Sequence, residues 1–157
     1  MKAITHDLFS VGVGLYLLVR IDGPSSPLYL LLAVWLAFIT NRVIDGLGHS
    51  TRGGMSVRSF WTHSIFTAPV WGIAFAVASV YLLDVVIGQN MTASQTLFAA
   101  GLGAVLAYSH LLLDALTEGG VYLGRRRVAL AHLRYNNLVL NGAFATLGLL
   151  LALAAFI

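Results

Sequence analysis

Histidine and acidic residues recur at four-residue spacing where the apolar segments of this sequence end. The stretch "SHLLLDALTEGG" contains His110, Asp114 and Glu118, each four residues from the next. Four residues are about one helical turn, so we expect the three side chains to lie on one helix face. Two acidic groups at that position are unfavourable, because the carboxyl end of a helix carries a partial negative charge. The spacing therefore predicts that this face binds a cation.

Three other segment ends carry the same residue types. "NRVIDGLGHS" contains Asp45 and His49 in the reverse order, while "ITHDLF" and "WTHSIF" contain His6 and His63 after a threonine. We expect each threonine to cap a helix and each following histidine to lie in its first turn. This predicts two related helical hairpins, each with a histidine at its entry and a His/Asp pair at its exit. Antiparallel packing would bring all four ends together at one membrane face.

The side chains expected to converge form a set typical of a metal site. Imidazole and carboxylate groups are the ligands of hydrolytic zinc and other divalent ions, and more than four of them allow one or two ions. The sequence has no cysteine, which excludes thiolate ligands. The alternative is that each group is merely solvated at a membrane interface, but ionisable residues beside apolar spans are costly and mark function. The candidate ligands are His6, Asp45, His49, His63, His110 and Asp114.

Three acidic residues are candidates for proton transfer. Asp45, Asp114 or Glu118, whichever is free of the metal, would accept a proton from water during hydrolysis. Glu118 would otherwise lie in water beyond the helix stop predicted at Gly119 and Gly120.

Arginines flank these residues and are candidates for binding a substrate phosphate. The planar guanidinium group matches a phosphate well, although basic cytoplasmic loops also orient membrane proteins and contact anionic lipid. Few aromatic residues are interleaved with the arginines, which argues against a nucleic-acid partner. The arginines in question are Arg52, Arg58, Arg125, Arg126 and Arg127.

The composition indicates the elements that must position these residues. Of 157 residues, 59% are hydrophobic and only 10% are charged, which is typical of a membrane protein. Each span needs about 20 residues to cross the hydrocarbon, so the first segment is the least certain span. We expect an all-α membrane helical bundle of about five transmembrane helices in a single domain, residues 1–157. The segments cover approximately 5–19, 28–44, 64–87, 95–116 and 137–157.

The placement of positive charge predicts an orientation. If the chain changes sides at each span, all Lys and Arg residues except Arg20 fall on the side of the N-terminus. Positively charged loops favour the cytoplasm, so we expect a multi-pass protein of the cell (inner) membrane with its C-terminus outside. All five histidines fall on the same cytoplasmic side. The candidate site is therefore expected there, in contact with membrane lipid, whereas the sequence predicts no oligomeric state.

In combination, these motifs resemble the YdjM-like family of inner-membrane metal-dependent hydrolases. The resemblance covers most of the chain: an N-terminal Thr-His, an acidic turn before a histidine, "THS", and "SHLLLD" before a glycine-containing turn. The closing "RRRVALAHLRYNNLVLNG" is similar to an uncharacterised archaeal branch. The resemblance implies that the same six His and Asp residues bind metal. The family pattern is roughly Asp-x-Asp-His, whereas "DGLGH" lacks one carboxylate, which leaves the number of ions open.

Two functions from different classes are consistent with these observations. The first is a membrane-embedded hydrolase that uses a divalent metal, preferably zinc, on a phosphoester of a lipid or membrane-associated substrate. The second is a non-enzymatic metal-binding module that acts as a structural clamp or a sensor for a partner. A saturated coordination shell favours the second function, and an open position favours catalysis. A transporter is less favoured because the spans have almost no ionisable residues near mid-membrane.

Overall fold

The computed structural model describes residues 1–22, 26–52 and 55–157, although the side chains of 22, 50–52, 55 and 56 are not described. Helices dominate these residues, which confirms the all-α prediction. Four of the helices are long and apolar enough to cross a membrane: α1, α2, α4 and α5. The helices are α1 (Ala3–Asp22), α2 (Pro27–Gly48), α3 (Phe60–His63), α4 (Ala68–Ile87), α5 (Ala93–Ala115) and α6 (Leu138–Ala154).

The first and last apolar segments differ from their predicted lengths. Helix α1 has 20 residues, so the least certain predicted span is long enough. Helix α6 has 17 residues, and at about 1.5 Å per residue it is shorter than the ~30 Å hydrocarbon core. It packs along α1, and a fifth membrane span stays a prediction.

The four long helices form the centre of the bundle. Tyr29 near the start of α2 accepts a hydrogen bond from Gln95 near the start of α5, so these two helices run parallel. Trp35 of α2 donates to Ser79 of α4, at 3.0 Å. Leucine and alanine side chains fill the space between the helices, and the largest buried cluster comprises Leu18, Leu32, Ala33, Leu36, Ala37, Ala76, Val80, Ala99, Leu102 and Leu106.

Glycines allow two pairs of helices to approach closely. Gly12 of α1 faces Gly148 of α6, and Gly72 of α4 faces Gly103 of α5. A Cβ atom on any of them would collide with the backbone of the opposing helix. Gly12 lies in "VGVG" and Gly103 in "GLGAVLA", and such close approach at glycine is expected for helices that associate in a membrane.

Two short hairpins lie within the long loops, where the sequence predicted no strands. Strands β1 (His49–Arg52) and β2 (Met55–Arg58) pair antiparallel, as do β3 (Val121–Leu123) and β4 (Arg126–Val128). Backbone hydrogen bonds from Ser59 to Gly48 and from Ile65 to Tyr122 attach the hairpin regions to the bundle. Both hairpins therefore border the end of the bundle at which α2 and α5 terminate.

The two Thr-His pairs do not cap helices as predicted. Thr5 lies inside α1 and donates its hydroxyl proton to Asn141 of α6, at 2.7 Å. Thr62 lies inside α3, and the next long helix begins only at Ala68. Pro69 is in the first turn of α4, where its missing N–H group is tolerated. The helix of the third apolar segment therefore begins four residues later than predicted, and His63 belongs to a separate short helix.

Candidate metal centre

Four of the six predicted metal ligands converge at one end of the bundle. Asp45 from α2, His63 from α3, and His110 and Asp114 from α5 each offer one ligand atom, and these atoms lie within 4.8 Å of one another. The Nε2 atom of His63 is 3.6 Å from Asp45 Oδ1 and 3.5 Å from Asp114 Oδ2. For His110 Nε2 the corresponding distances are 3.4 and 3.3 Å.

These distances match the size of a small tetrahedral site. Zinc binds nitrogen and oxygen at about 2.0–2.1 Å, which places neighbouring ligand atoms of a tetrahedron about 3.3 Å apart. The four nitrogen–oxygen distances of this cluster lie between 3.3 and 3.6 Å. Four of the six edges of the cluster therefore have about the length of a tetrahedral zinc site, and the remaining two lie within 4.8 Å, so the group could hold a small divalent ion.

Three atoms of the cluster are buried polar atoms without a hydrogen-bond partner among the described residues. They are Nε2 of His63, Nε2 of His110 and Oδ2 of Asp114. Leaving such atoms unpaired in the interior is costly, so native proteins satisfy nearly all of them. One shared cation would satisfy all three. The Asp45 side chain, by contrast, is 28% exposed, so the cluster is open on that side.

The rings of both ligand histidines are held through their other nitrogen. His110 Nδ1 is 3.1 Å from Asn41 Oδ1, and His63 Nδ1 is 2.9 Å from the Thr62 hydroxyl. Metal-binding histidines commonly use one nitrogen for such a contact and the other for the ion. Burial also lowers the pKa of His63 below its ordinary value of 6.5, which favours the neutral, metal-binding form.

Sequence reasoning missed the residues that orient His110. Asn41 and Asp7 are buried and hydrogen-bonded to each other, at 3.1 Å. Both are polar residues beside or within apolar segments, a signal that marks function in membrane helices. Their polar character in an apolar context could have identified both residues from the sequence alone.

His6 and His49, the other two predicted ligands, lie beside the four-residue cluster. The His6 ring stacks on His110 with centroids 4.1 Å apart, and its Nε2 atom is 3.2 Å from Oδ1 of Asp114. His49 Nδ1 is 3.7 Å from Asp45 Oδ1. Helix α2 ends at Gly48 and His49 has an extended backbone, so the helix ends between Asp45 and His49, as its two glycines favour.

Arg58 is bound to the site instead of projecting freely from it. Its Nη2 atom donates to Asp114 Oδ1 at 2.5 Å, and its Nη1 atom donates to the Gly120 carbonyl at 2.8 Å. The guanidinium group that the sequence assigned to a substrate phosphate is therefore engaged within the protein. It neutralises the carboxylate oxygen that faces away from the two ligand histidines.

Glu118 does not share a helix face with His110 and Asp114, contrary to the prediction. Helix α5 ends at Ala115, before Gly119 and Gly120. The loop supplies the partners of its terminal carbonyls: the Thr117 hydroxyl donates to Asp114 O at 2.8 Å, and Leu130 N donates to Ala115 O at 2.6 Å. These bonds replace the next helical turn, and Glu118 is exposed.

A cavity of about 500 Å³ opens beside the cluster. Its wall includes Asp45 and Asp114 of the cluster and also His49, Glu118 and Arg127. The side chains of the other predicted phosphate-binding residues Arg125 and Arg126 are exposed on the second hairpin, and that of Arg52 lies outside the described residues.

Comparison with protein families connects this site to a known group. The family model of DUF1286, described as a protein of unknown function, matches residues 1–113. The chain belongs to the DUF1286 family. The match includes three of the four converging residues of this DUF1286 chain and ends one position before Asp114. No curated protein and no solved structure matches the chain.

Proposed function

We propose that this DUF1286 protein is a membrane-embedded, metal-dependent hydrolase that acts on a phosphoester of a lipid or another membrane-associated substrate. The observation that carries the proposal is the convergence of three buried, unpartnered ligand atoms beside an open cavity. The proposal agrees with the function implied by the resemblance to YdjM-like hydrolases.

The donor set favours one zinc ion. Two imidazole nitrogens and two carboxylate oxygens at tetrahedral spacing are typical zinc ligands, whereas magnesium and calcium prefer oxygen alone. A second ion bridged by Asp114 would need its Oδ1 atom, but the Arg58 guanidinium already donates to that atom at 2.5 Å. The fixed positive charge of Arg58 takes the place of a second cation.

The chain supplies groups for each part of a hydrolytic step. A bound divalent ion polarises a phosphoryl oxygen and lowers the pKa of a coordinated water. In the proposed reaction, Glu118 on the cavity wall accepts a proton from the attacking water, and Arg127 binds phosphate oxygens. Arg58 holds Asp114 in place throughout, because both terminal nitrogens of its guanidinium group are hydrogen-bonded within the protein.

The position of the cavity supports a substrate at the membrane surface. The cluster lies at the ends of α2 and α5, two helices of membrane-spanning length. Such ends lie near the lipid headgroups when the helices cross the bilayer. Arg125 and Arg126 are exposed on the hairpin whose Arg127 lines the cavity, and their positive charge attracts anionic lipid. The uneven distribution of Lys and Arg favours the cytoplasmic face for this end.

The second candidate function is a structural metal clamp. Four protein ligands are the complete shell of a structural zinc site, and this observation favours the clamp. The 28% exposure of Asp45 and the adjoining cavity favour catalysis, because Asp45 has room to move away and open a coordination position on the ion.

A paired measurement tests the proposal and separates it from the clamp. The purified protein in detergent is analysed for metal and then assayed on a panel of lipid phosphates, beside the Glu118→Gln variant. We expect one zinc per chain, release of phosphate or headgroup by the wild type, and unchanged zinc with lower turnover in the variant. Bound zinc with no hydrolysis of any substrate would favour the clamp, and absence of bound metal would contradict both functions.

A further inference from the structure

A buried chain of polar contacts leads from the surface to one metal-binding histidine. Arg42 donates to Asp7 Oδ2 at 2.6 Å, and the Asn41 amide nitrogen donates to Asp7 Oδ1 at 3.1 Å. The other end of the Asn41 amide, its Oδ1 atom, is 3.1 Å from His110 Nδ1. Asp7, Asn41 and His110 are each at most 2% exposed, so water does not compete for these contacts.

The chemistry of the groups determines which atom donates and which accepts in each of these contacts. An ionised carboxylate accepts hydrogen bonds and cannot donate them, so the NH₂ group of Asn41 must face Asp7. The Asn41 carbonyl oxygen then faces His110, and it also can only accept. The proton of this contact therefore belongs to His110 Nδ1. In a neutral imidazole that proton leaves the lone pair on Nε2, the atom 3.3 Å from Asp114 Oδ2.

We propose that Asp7 and Asn41 are positioning residues that keep the His110 proton on Nδ1 and thereby reserve Nε2 for the metal. With its proton on Nε2, His110 would donate to Asp45 or Asp114 and compete with the ion for the same space. The metal-binding consequence rests on the proposed function, whereas the position of the proton does not.

The second ligand histidine lacks this control. His63 Nδ1 contacts the Thr62 hydroxyl, which can donate or accept a hydrogen bond. The contacts of His63 are therefore compatible with either position of its proton. Only His110 is connected to a fixed acceptor that a buried carboxylate orients.

The first test compares two neighbouring substitutions in α2. Asn41→Leu removes the contacts of the amide with Asp7 and His110, and the 3.4 Å contact with Ser10, while keeping a similar volume. We expect zinc affinity to fall by about 10–100-fold. Thr40→Val is the matched control, because Thr40 is equally buried and its hydroxyl has no hydrogen-bond partner among the described residues. Circular dichroism and thermal unfolding of both proteins verify folding before zinc is titrated against a chelator.

Exchanging the carboxylate and the amide between positions 7 and 41 provides a second test if Asn41→Leu fails to fold. Asn41→Asp alone places a second carboxylate beside Asp7, so we expect weaker zinc binding and lower stability. The double variant Asp7→Asn with Asn41→Asp reverses donor and acceptor between the two positions and again presents an oxygen to His110. We expect it to recover most of the affinity, a result that a loss of packing would not produce.

The position of the proton is read directly from ¹⁵N-labelled histidine by NMR. In the wild type we expect a slowly exchanging proton on His110 Nδ1, with or without zinc, and in Asn41→Leu we expect this signal to be lost. Unchanged zinc affinity in Asn41→Leu, or no recovery in the double variant, would overturn the inference. If the wild type binds no metal, the proposed function fails. In that case, an Nδ1 signal that is present in the wild type and lost in Asn41→Leu would still support control of the proton by Asn41. An Nδ1 signal that remains in Asn41→Leu would refute this control.

Discussion

Gly48 lies where the candidate metal centre has no room for a side chain. A Cβ atom there would collide with the Thr62 hydroxyl and would lie 2.5 Å from Cε1 and 2.7 Å from Nδ1 of the His63 ring. Unstrained contacts between such atoms are about 3.5–4.0 Å, so Gly48→Ala would displace the ring by about 1 Å. Metal bonds tolerate changes of only about 0.2 Å. We therefore expect Gly48→Ala to remove His63 from the zinc coordination.

The expected magnitude follows from two opposing effects. Overpacking of a buried site costs about 1–3 kcal/mol, whereas Gly-to-Ala substitution in a helix stabilises by about 0.5–1 kcal/mol. Gly46 is the matched control, because it lies in the same helix and a Cβ there would meet nothing within 4 Å. Gly46→Ala should thus be neutral or stabilising, and Gly48→Ala should weaken zinc binding at least ~10-fold, which equals about 1.4 kcal/mol.

Zinc titration against a chelator, combined with thermal unfolding with and without zinc, measures both effects. A ligand that binds the folded state stabilises it, by about 2.7 kcal/mol at 100 times its dissociation constant. The increase in melting temperature on adding zinc should therefore be large for Gly46→Ala and smaller for Gly48→Ala. Equal zinc affinities of the two variants would refute the placement of His63 in the metal centre.

Three further predictions concern the same site and the membrane. His63→Ala and His110→Ala should each lose metal and zinc-dependent thermal stability together, whereas His132→Ala, an exposed control, should keep both; retention of full metal content by the first two would contradict a shared ion. Asp114→Asn should weaken metal binding at least ~10-fold while Glu118→Gln keeps the metal; the reverse pattern in metal analysis would exchange their roles. Reporter fusions should place the long basic loops in the cytoplasm and the C-terminal end outside; a cytoplasmic C-terminal reporter would contradict this orientation.

The parts of the fold that depend on local pattern were predictable from the sequence. Long apolar segments predicted the helices, because hydropathy over about 20 residues is a property of the segment itself. The four-residue spacing predicted that His110 and Asp114 share a helix face, and both face the cluster.

The parts that depend on tertiary partners were not predictable in the same way. Helix α5 ends at Ala115, where Thr117 and Leu130 supply hydrogen bonds to its last carbonyls, and Leu130 is distant in the sequence. The two predicted hairpins were expected to contribute equally. Instead the first contributes Asp45 alone, since His49 begins a strand and His6 stacks on His110.

Zinc K-edge X-ray absorption spectroscopy on the purified protein, with metal quantified on the same sample, tests the central claim most directly. We expect one zinc per chain with nitrogen and oxygen ligands at about 2.0–2.1 Å, and loss of that signal in the double variant His63→Ala with His110→Ala. Absence of stoichiometric metal in the wild type, or an unchanged spectrum in the double variant, would contradict a metal centre formed by Asp45, His63, His110 and Asp114.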